Sequence, residues 1–371
     1  MKKNLFILLF CLLFCQSSSL IAQTKLDDLE WKDVAFNQPA EWYGSAEAVT
    51  VAENVLLYQR NIGGWPKNIP MHKPLTDSQK DELRRLQSVG EGATTDNGAT
   101  FKELYFLSNV YRKIKDERYR KAFLKGISYL LEAQYENGGW PQFYPPRKGY
   151  YTHITYNDNS MVNIMNIIKL IGEKSAVFSI VADDATALKA KSAFDKGVDV
   201  ILKTQYKQHG KLSAWCAQHD EVTFQPAKAR SYELPSLSGG ESPGIVLLLM
   251  NIENPSPEIK KAVQSAVEWF DKVKINGIRI EGFTNNEGLK DRKVVADKDA
   301  PPLWARFYEL EDNRPFFCDR DGIKKYALSE IGPERRNGYS WYTSGPQKVL
   351  DTYKKWQLKW APEKQLSNAR K

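Results

Sequence analysis

Two acid-amide pairs, Asp96-Asn97 and Asp158-Asn159, stand sixty-two residues apart, and each opens an apolar, helix-like run. Asp and Asn are preferred helix N-caps, so one such pair alone would be read as a cap. Two pairs at equivalent places in successive structural units would instead bring carboxylate and amide oxygens to one rim. A hard divalent cation such as calcium is bound by that mixture of donors. No EF-hand spacing is present, so the ligands would come from distant segments. A second stretch, Lys228-Ala229-Arg230-Ser231-Tyr232-Glu233-Leu234-Pro235-Ser236-Leu237-Ser238, is a polar and aromatic loop carrying Arg230. Further cationic side chains follow at Lys272, Lys274, Arg279, Arg306, Arg314 and Arg320. A single arginine is by default a solvated surface residue. Several of them facing the Asp-Asn rim would clamp carboxylates, because the planar guanidinium donates two parallel hydrogen bonds.

Other chemistries find less support. His153, His209 and His219, even with Cys216 beside His219, lack the full ligand set of a structural zinc site and read as surface or packing histidines. There is no Gly-x-Ser-x-Gly elbow and no phosphate-binding loop.

The elements that position these residues are set by a recurrence. Gln134-Tyr135-Glu136-Asn137-Gly138-Gly139-Trp140-Pro141 repeats the spacing of Gln59-Arg60-Asn61-Ile62-Gly63-Gly64-Trp65-Pro66, and a looser third copy runs from Gln205 to Trp215. Recurrence at such a period marks stacked helical hairpins, none of which buries its apolar face alone. Apolar periodicity predicts helices over 46–59, 118–134, 161–171, 185–205, 244–251 and 256–273, with one opening at Asp96-Asn97 and a polar inserted helix over 78–86. Beyond Asn276 the regularity fades: a short strand is expected over 278–283, a short helix over 302–310 and an irregular end over 338–360 closed by one helix. If the inner helices run parallel, Asp96, Asp158 and the segment 238–242 all lie at helix N-termini on one rim, where unpaired N–H groups and partial positive charge favour anions. Trp65, Trp140, Tyr150, Tyr151 and Tyr156 lie in loops on that rim, and flat rings there suit sugar stacking as well as loop packing.

Composition narrows the setting. A basic start, Met1-Lys2-Lys3, precedes an apolar run over 5–14 that is short for a membrane span, and Ala22 suits cleavage before Gln23. Residues 1–22 are read as a signal peptide and not as a membrane anchor, which makes the protein secreted or periplasmic. Loss of Lys2 and Lys3 takes the formal net charge from +8 to +6. Cys11 and Cys15 leave with the peptide, and Cys216 and Cys318 are too few for a disulfide framework. A basic exported chain suggests an anionic partner. Nucleic acid ranks low, since Lys and Arg are scattered and no recognition motif is present. Residues 23–371 are expected to form a single catalytic domain, helical over about 42–275 and irregular over about 276–371.

Over 42–356 the chain resembles the pectate lyases of polysaccharide lyase family 10. The resemblance is carried by Gly63-Gly64-Trp65-Pro66-Lys67, Thr95-Asp96-Asn97-Gly98-Ala99-Thr100, Gly138-Gly139-Trp140-Pro141-Gln142, Tyr156-Asn157-Asp158, Ala229-Arg230-Ser231-Tyr232-Glu233, Trp304-Ala305-Arg306-Phe307-Tyr308 and Asp319-Arg320-Asp321-Gly322. It implies an all-α fold, an α/α toroid or partial barrel, and calcium-assisted β-elimination of de-esterified homogalacturonan, an acidic polysaccharide. It further implies that Arg230 is the Brønsted base, that Asp96, Asn97 and Asp158 belong to the calcium and substrate-carboxylate site, and that Lys274, Arg306 and Arg320 clamp substrate. An arginine base requires its charged form to be disfavoured, and neighbouring cations with calcium would do so. An alkaline optimum is the expectation. Two rivals remain: a glycoside hydrolase using carboxyls among Glu233, Glu241 and Asp158, and a noncatalytic pectin-binding protein.

Overall fold

The structure is a computed structural model and describes residues 26–181 and 183–361. The signal peptide expected over 1–22, with Cys11 and Cys15, lies outside the described residues. Eleven α-helices are described: α1 Trp31–Phe36, α2 Ala46–Tyr58, α3 Asp77–Gln87, α4 Phe101–Ile114, α5 Glu117–Glu132, α6 Ser160–Gly172, α7 Asp184–Thr204, α8 Ser242–Met250, α9 Pro257–Val273, α10 Pro333–Gly338 and α11 Gly345–Trp360. Helices α4 and α5, α6 and α7, and α8 and α9 pack as successive hairpins; α4, α6 and α8 touch in series, as do α5, α7 and α9, and α11 closes against α8 and α9. Strands occur only as two-stranded pairs among the described residues. The fold is therefore an α/α toroid of stacked hairpins.

Sequence separates the two layers. Helix α6 buries Met161, Val162, Ile164, Met165, Ile167, Ile168 and Ile171, apolar over most of its circumference, as an inner helix must be. Helix α9 buries Ile259, Ala262, Val263, Ala266, Val267 and Phe270 on one face and leaves charged residues on the other.

The Gly-Gly-Trp recurrence now has a physical account. Gln59 Nε2 donates to the Gly63 carbonyl at 2.7 Å and to Ala122 O of α5 at 2.8 Å. Gln134 Nε2 repeats this with Gly138 O (3.0 Å) and Ala193 O of α7 (2.8 Å), and Gln205 Nε2 with Ser213 O (2.9 Å) and Ala262 O of α9 (3.0 Å). Each glutamine thus fastens its own loop to the next outer helix. The indole N–H groups of Trp65, Trp140 and Trp215 donate to carbonyls of the helix just ended, Val55, Leu130 and Ile201. Trp304 does the same to Phe270 O, a fourth copy that the sequence pattern did not reveal. Gly63 and Gly138 sit at φ +114° and +98°, where a Cβ would fall 2.3 Å from Lys125 O and 2.2 Å from Lys196 O. Glycine is required there both by conformation and by close approach.

Three expectations change. The rim turns align one residue differently: Thr94 N and Thr155 N donate to Trp65 O and Trp140 O, and Asn97 and Asp158 take the same left-handed φ, 52° and 53°. Asp96 is therefore equivalent to Asn157, and Asn97 to Asp158. Neither Asp96 nor Asp158 caps a helix, since no side-chain cap bond is made at the starts of α4 and α6. The segment 302–310 is not helical; Trp304–Ala305 pairs with Tyr342–Thr343, and Phe307–Tyr308 pairs with Leu237–Ser238. With Trp304 held at the end of α9, the backbone polar groups of this segment are satisfied across strands instead of along a helix. The strand expected over 278–283 is one arm of a hairpin, Ile278–Thr284 with Lys290–Ala296.

Candidate active site

The rim is assembled by turns that precede the inner helices. Asp96 and Asn97 lie in the turn ahead of α4, and Asn157 and Asp158 in the turn ahead of α6; Thr95 Oγ1 and Ser160 Oγ join the two at 2.6 Å. Asp96 is buried, accepts from the Asn97 N–H at 3.1 Å, and is paired with Lys67 from the first Gly-Gly-Trp-Pro loop. Asp158 is half-buried, and Asn157 Nδ2 donates to its Oδ2 at 2.9 Å. Glu241, in the third rim turn ahead of α8, accepts from Ser238 Oγ and from Arg306.

Arg306 draws these turns together. Its Nη2 donates to Asn157 Oδ1 at 3.0 Å and to Glu241, and lies 3.7 Å from Asp158 Oδ1. The guanidinium lies 4.5 Å from the centroid of the Tyr339 ring. Its Nε is buried with no partner among the described residues. Burial acts to lower the Arg306 pKa, but Glu241, Tyr339 and Asp158 outweigh it and the net direction is upward. Asp158 also moves upward, first through burial and then through the like charges of Glu241 and Asp96, against the pull of Arg306 and Arg230. Arg306 and Arg230 lie 4.5 and 5.8 Å from the centroid of the same Tyr339 ring, and the turn of Asp96 is joined to that of Asp158, so the five groups gather on one stretch of the rim. A groove of about 480 Å³ lined by Asp158, Glu241, Arg306, Ile280, Leu303 and Tyr342 opens over it. A larger groove of about 890 Å³, between the 207–212 hairpin and α9, contains none of these residues.

Arg230 stands at the edge of this cluster in a bidentate pair with Glu233: Nε to Oε2 at 2.8 Å and Nη2 to Oε1 at 2.6 Å. The Glu233 carboxylate is buried and also accepts from the Tyr339 hydroxyl at 2.6 Å. This reverses the expectation that cations around Arg230 would disfavour its charge. Burial acts in that direction, but the Glu233 carboxylate outweighs it and raises the pKa above the ordinary arginine value. Glu233 in turn is held below the usual carboxylate range, where burial pushes upward but the hydrogen bonds and charge of Arg230 prevail.

The remaining expected site residues are not all gathered here. Arg320 is exposed, pairs with Glu334 at 2.8 Å, and lies 5.9 Å from the Tyr232 ring that Arg230 also approaches at 5.1 Å, so one ring separates it from Arg230. The structure does not bring Lys274 to the cluster. As the residue closing α9, it turns back onto Asp271, one helical turn earlier, at 2.6 Å, and lines a groove with Gln347 and Leu350 of α11. Asn97 donates to Asn68 Oδ1 at 3.0 Å. Lys67, Asn157 and Tyr339 escaped the sequence reading as members of the site, and Glu241 entered it only as a carboxyl of the hydrolase alternative. Lys67 was detectable as the place where the repeat diverges, since the second copy has Gln142 after its Trp-Pro.

Two further details bear on metal chemistry. His219 accepts the Cys216 N–H at 3.0 Å and hydrogen-bonds Phe224 O at 2.9 Å, a buried packing role, and Cys216 and Cys318 are free thiols. His153, Asp220 and Glu221 place one ligand atom each within 4.8 Å of one another, with His153 Nδ1 3.1 Å from Glu221 Oε2.

A toroid of helical hairpins whose rim gathers carboxylates and guanidiniums over an open groove defines a polysaccharide lyase. The pectic acid lyase family model matches residues 59–350, and the chain belongs to that family. It is a pectate lyase. Its structure is similar to a family 10 polysaccharide lyase from Cellvibrio cellulosa, with a TM-score of 0.72, 36% identity, and coverage of 88% of this chain and 94% of that one. It is equally similar, at 0.72 and 36%, to an aspartate-to-alanine mutant of the family 10 lyase from that organism in complex with trigalacturonic acid, covering 88% and 95% of the two chains. No curated protein matches the chain.

Proposed function

We propose that this pectate lyase is exported and cleaves de-esterified homogalacturonan by calcium-assisted β-elimination, releasing 4,5-unsaturated oligogalacturonates. The observation that carries the reading is Arg306: a largely buried guanidinium amid Asp158, Asn157 and Glu241 that lines an open groove. A uronate carboxylate is the ligand suited to a guanidinium there.

The donor set fits calcium. Asp158 has its pKa raised partly by two neighbouring carboxylates, Glu241 and Asp96, and a divalent cation would relieve that repulsion. Asp96, Asn97 and Asp158 would hold it through oxygen, and the bound ion would supply Lewis-acid stabilisation to a uronate carboxylate. Arg306 would orient that carboxylate and stabilise the charge growing on it. Arg230, in its neutral form, would take the C5 proton; the C5–H electron pair becomes the C4–C5 double bond as the C4–O bond breaks, and the departing oxygen is protonated from solvent. Because Glu233 favours the charged guanidinium, the base form is populated only at high pH, which supports an alkaline optimum. Arg320, one ring from Arg230, would meet a neighbouring sugar.

The hydrolase reading loses its support at Glu233. A general acid needs a raised pKa, whereas this carboxyl is depressed and bound by Arg230 and Tyr339. The start Met1-Lys2-Lys3 followed by an apolar run supports export, and N-terminal sequencing of protein from the culture medium and periplasm should find Gln23 first.

The decisive experiment is digestion of polygalacturonate followed by ultraviolet absorbance, with calcium and then with a chelator. Absorbance should rise only with calcium. Reducing ends that appear without absorbance would overturn the elimination.

A further inference from the structure

We propose that the groove between the 90–93 and 143–148 loops is a distal subsite that holds a uronate of the substrate chain through Arg147 and Lys148; this rests on the galacturonan-lyase reading. The groove has a volume of about 590 Å³, within the range of small-ligand sites, and Glu91 is the one acid that lines it.

Charge pairing distinguishes these two cations from those around the cleavage site. Lys67 is paired with Asp96, Arg230 with Glu233, Arg306 with Glu241 and Arg320 with Glu334. Arg147 and Lys148 have no carboxylate partner among the described residues. Arg147 instead rests on an aromatic face, its guanidinium 4.0 Å from the centroid of the buried Phe143 ring. A cation fixed on an aromatic face has less freedom to lose on binding. Tyr144, half-buried, and the exposed Pro145 and Pro146 add apolar wall against which a pyranose face can lie.

The groove is also joined to the reacting centre. Phe143 bridges to Thr94, whose hydroxyl accepts from the Asp96 N–H at 3.1 Å. Lys67, the partner of Asp96, lies 5.8 Å from the Phe143 centroid on the way to Arg147. A polyanion passing Asp96 therefore meets the Lys67–Asp96 pair and, beyond it, Arg147 and Lys148 with no carboxylate to displace. A carboxylate repeated along the chain is the ligand chemistry that takes advantage of this order.

The test is a chain-length series, from tri- to octagalacturonate and polygalacturonate, with the wild-type enzyme, the Arg147→Ala/Lys148→Ala double variant, and Arg147→Lys. Wild-type KM should fall with length until the oligomer reaches the groove. The double variant should lose that last fall, with KM on the longest substrates up ~tenfold, kcat within about twofold and trigalacturonate unaffected. Arg147→Lys should recover part of the loss. A double variant whose KM follows wild type at every length, or rises equally at every length, overturns the subsite. Failure of the underlying reading looks different, because wild type would then release no unsaturated product; calorimetric binding of octagalacturonate to wild type and the double variant, expected to show the same ~tenfold difference, still decides the subsite in that case.

Discussion

Arg230 and Glu233, three residues apart in one loop, meet through contacts of 2.8 and 2.6 Å, and the hydroxyl of Tyr339 closes the same carboxylate at 2.6 Å. The pair fixes the guanidinium beside the Tyr232 and Tyr339 rings and stabilises its charged form. Both effects depend on Glu233, but for Arg230 in its proposed role as base they act in opposite senses: positioning favours catalysis, and proton retention opposes it at neutral pH.

Glu233→Gln separates the two. The amide keeps an acceptor for one guanidinium N–H while removing the negative charge, so the arginine pKa falls and more neutral base exists at any given pH. The pH–rate profile should therefore move toward lower pH. Looser positioning should lower kcat at the optimum by roughly ten- to a hundredfold. Profiles recorded between neutral and strongly alkaline pH check this; an unmoved profile, or one moved to higher pH, would show that Glu233 does not govern the proton on Arg230.

Asp158 leads to a trade between stability and function. Its pKa is raised in the folded protein, by burial first and then by Glu241 and Asp96. A group raised on folding contributes stability below its unfolded pKa and loses it as pH rises through the folded value. In calcium-free protein at neutral pH, Asp158→Asn should therefore raise the Tm. The same change should remove the calcium-dependent rise in Tm and nearly all lyase activity. Scanning calorimetry with and without calcium measures both, and a destabilised variant under calcium-free conditions would contradict the argument.

What the sequence made legible follows from how locally each feature is determined. Helices such as α4, α6 and α9 are visible because apolar period and helix period agree within one segment. The toroid is visible because Gln59, Gly63 and Trp65 make the same contacts as Gln134, Gly138 and Trp140, so selection on those contacts leaves the residues in step. The rim register is not visible to the residue, since Asp96-Asn97-Gly98 and Asn157-Asp158-Asn159 differ in composition while sharing a backbone shape. Arg306 could be inferred only by family resemblance: it reaches Asn157 across 149 positions, and no local pattern encodes that. Lys274 and Lys272 looked alike because an exposed helix end does not encode which way a flexible ammonium turns.

The glutamine clamps should be worth more than their exposure suggests. Gln59 Nε2 satisfies two buried carbonyls, one in its own loop and one in α5. Gln59→Ala leaves the Gly63 carbonyl without a donor and removes a second bond from Ala122 O, which keeps its partner within α5, at a cost of about 1–2 kcal/mol. Denaturant titration should show a lower midpoint at an unchanged slope, since the unfolded state is not altered. Gln134→Ala should behave alike, and because the two sites lie in different hairpins the double variant should be additive to within about 0.5 kcal/mol. A cost below about 0.5 kcal/mol for each would mean that water replaces the lost donor.

Glu103, in the first turn of α4, sets a pH dependence of stability. It is buried on α4, accepts from Trp31 Nε1 at 2.6 Å through one oxygen, and has no partner for the other. Desolvation pushes its pKa to about 7, against the hydrogen bond from Trp31 and the charge of Lys102. The sign follows as for Asp158: full contribution below about 4.5, lost as pH rises through about 7. Above that pH the charged carboxylate costs on the order of 3 kcal/mol relative to the protonated form. Glu103→Gln keeps the carbonyl for Trp31 and carries no charge, so the decline in Tm between pH 5 and 8 should flatten in the variant. Calorimetry at pH steps across that interval checks it. A variant with the wild-type slope would place the titrating group elsewhere, and the buried oxygen of Glu103 would then have to be reached by water.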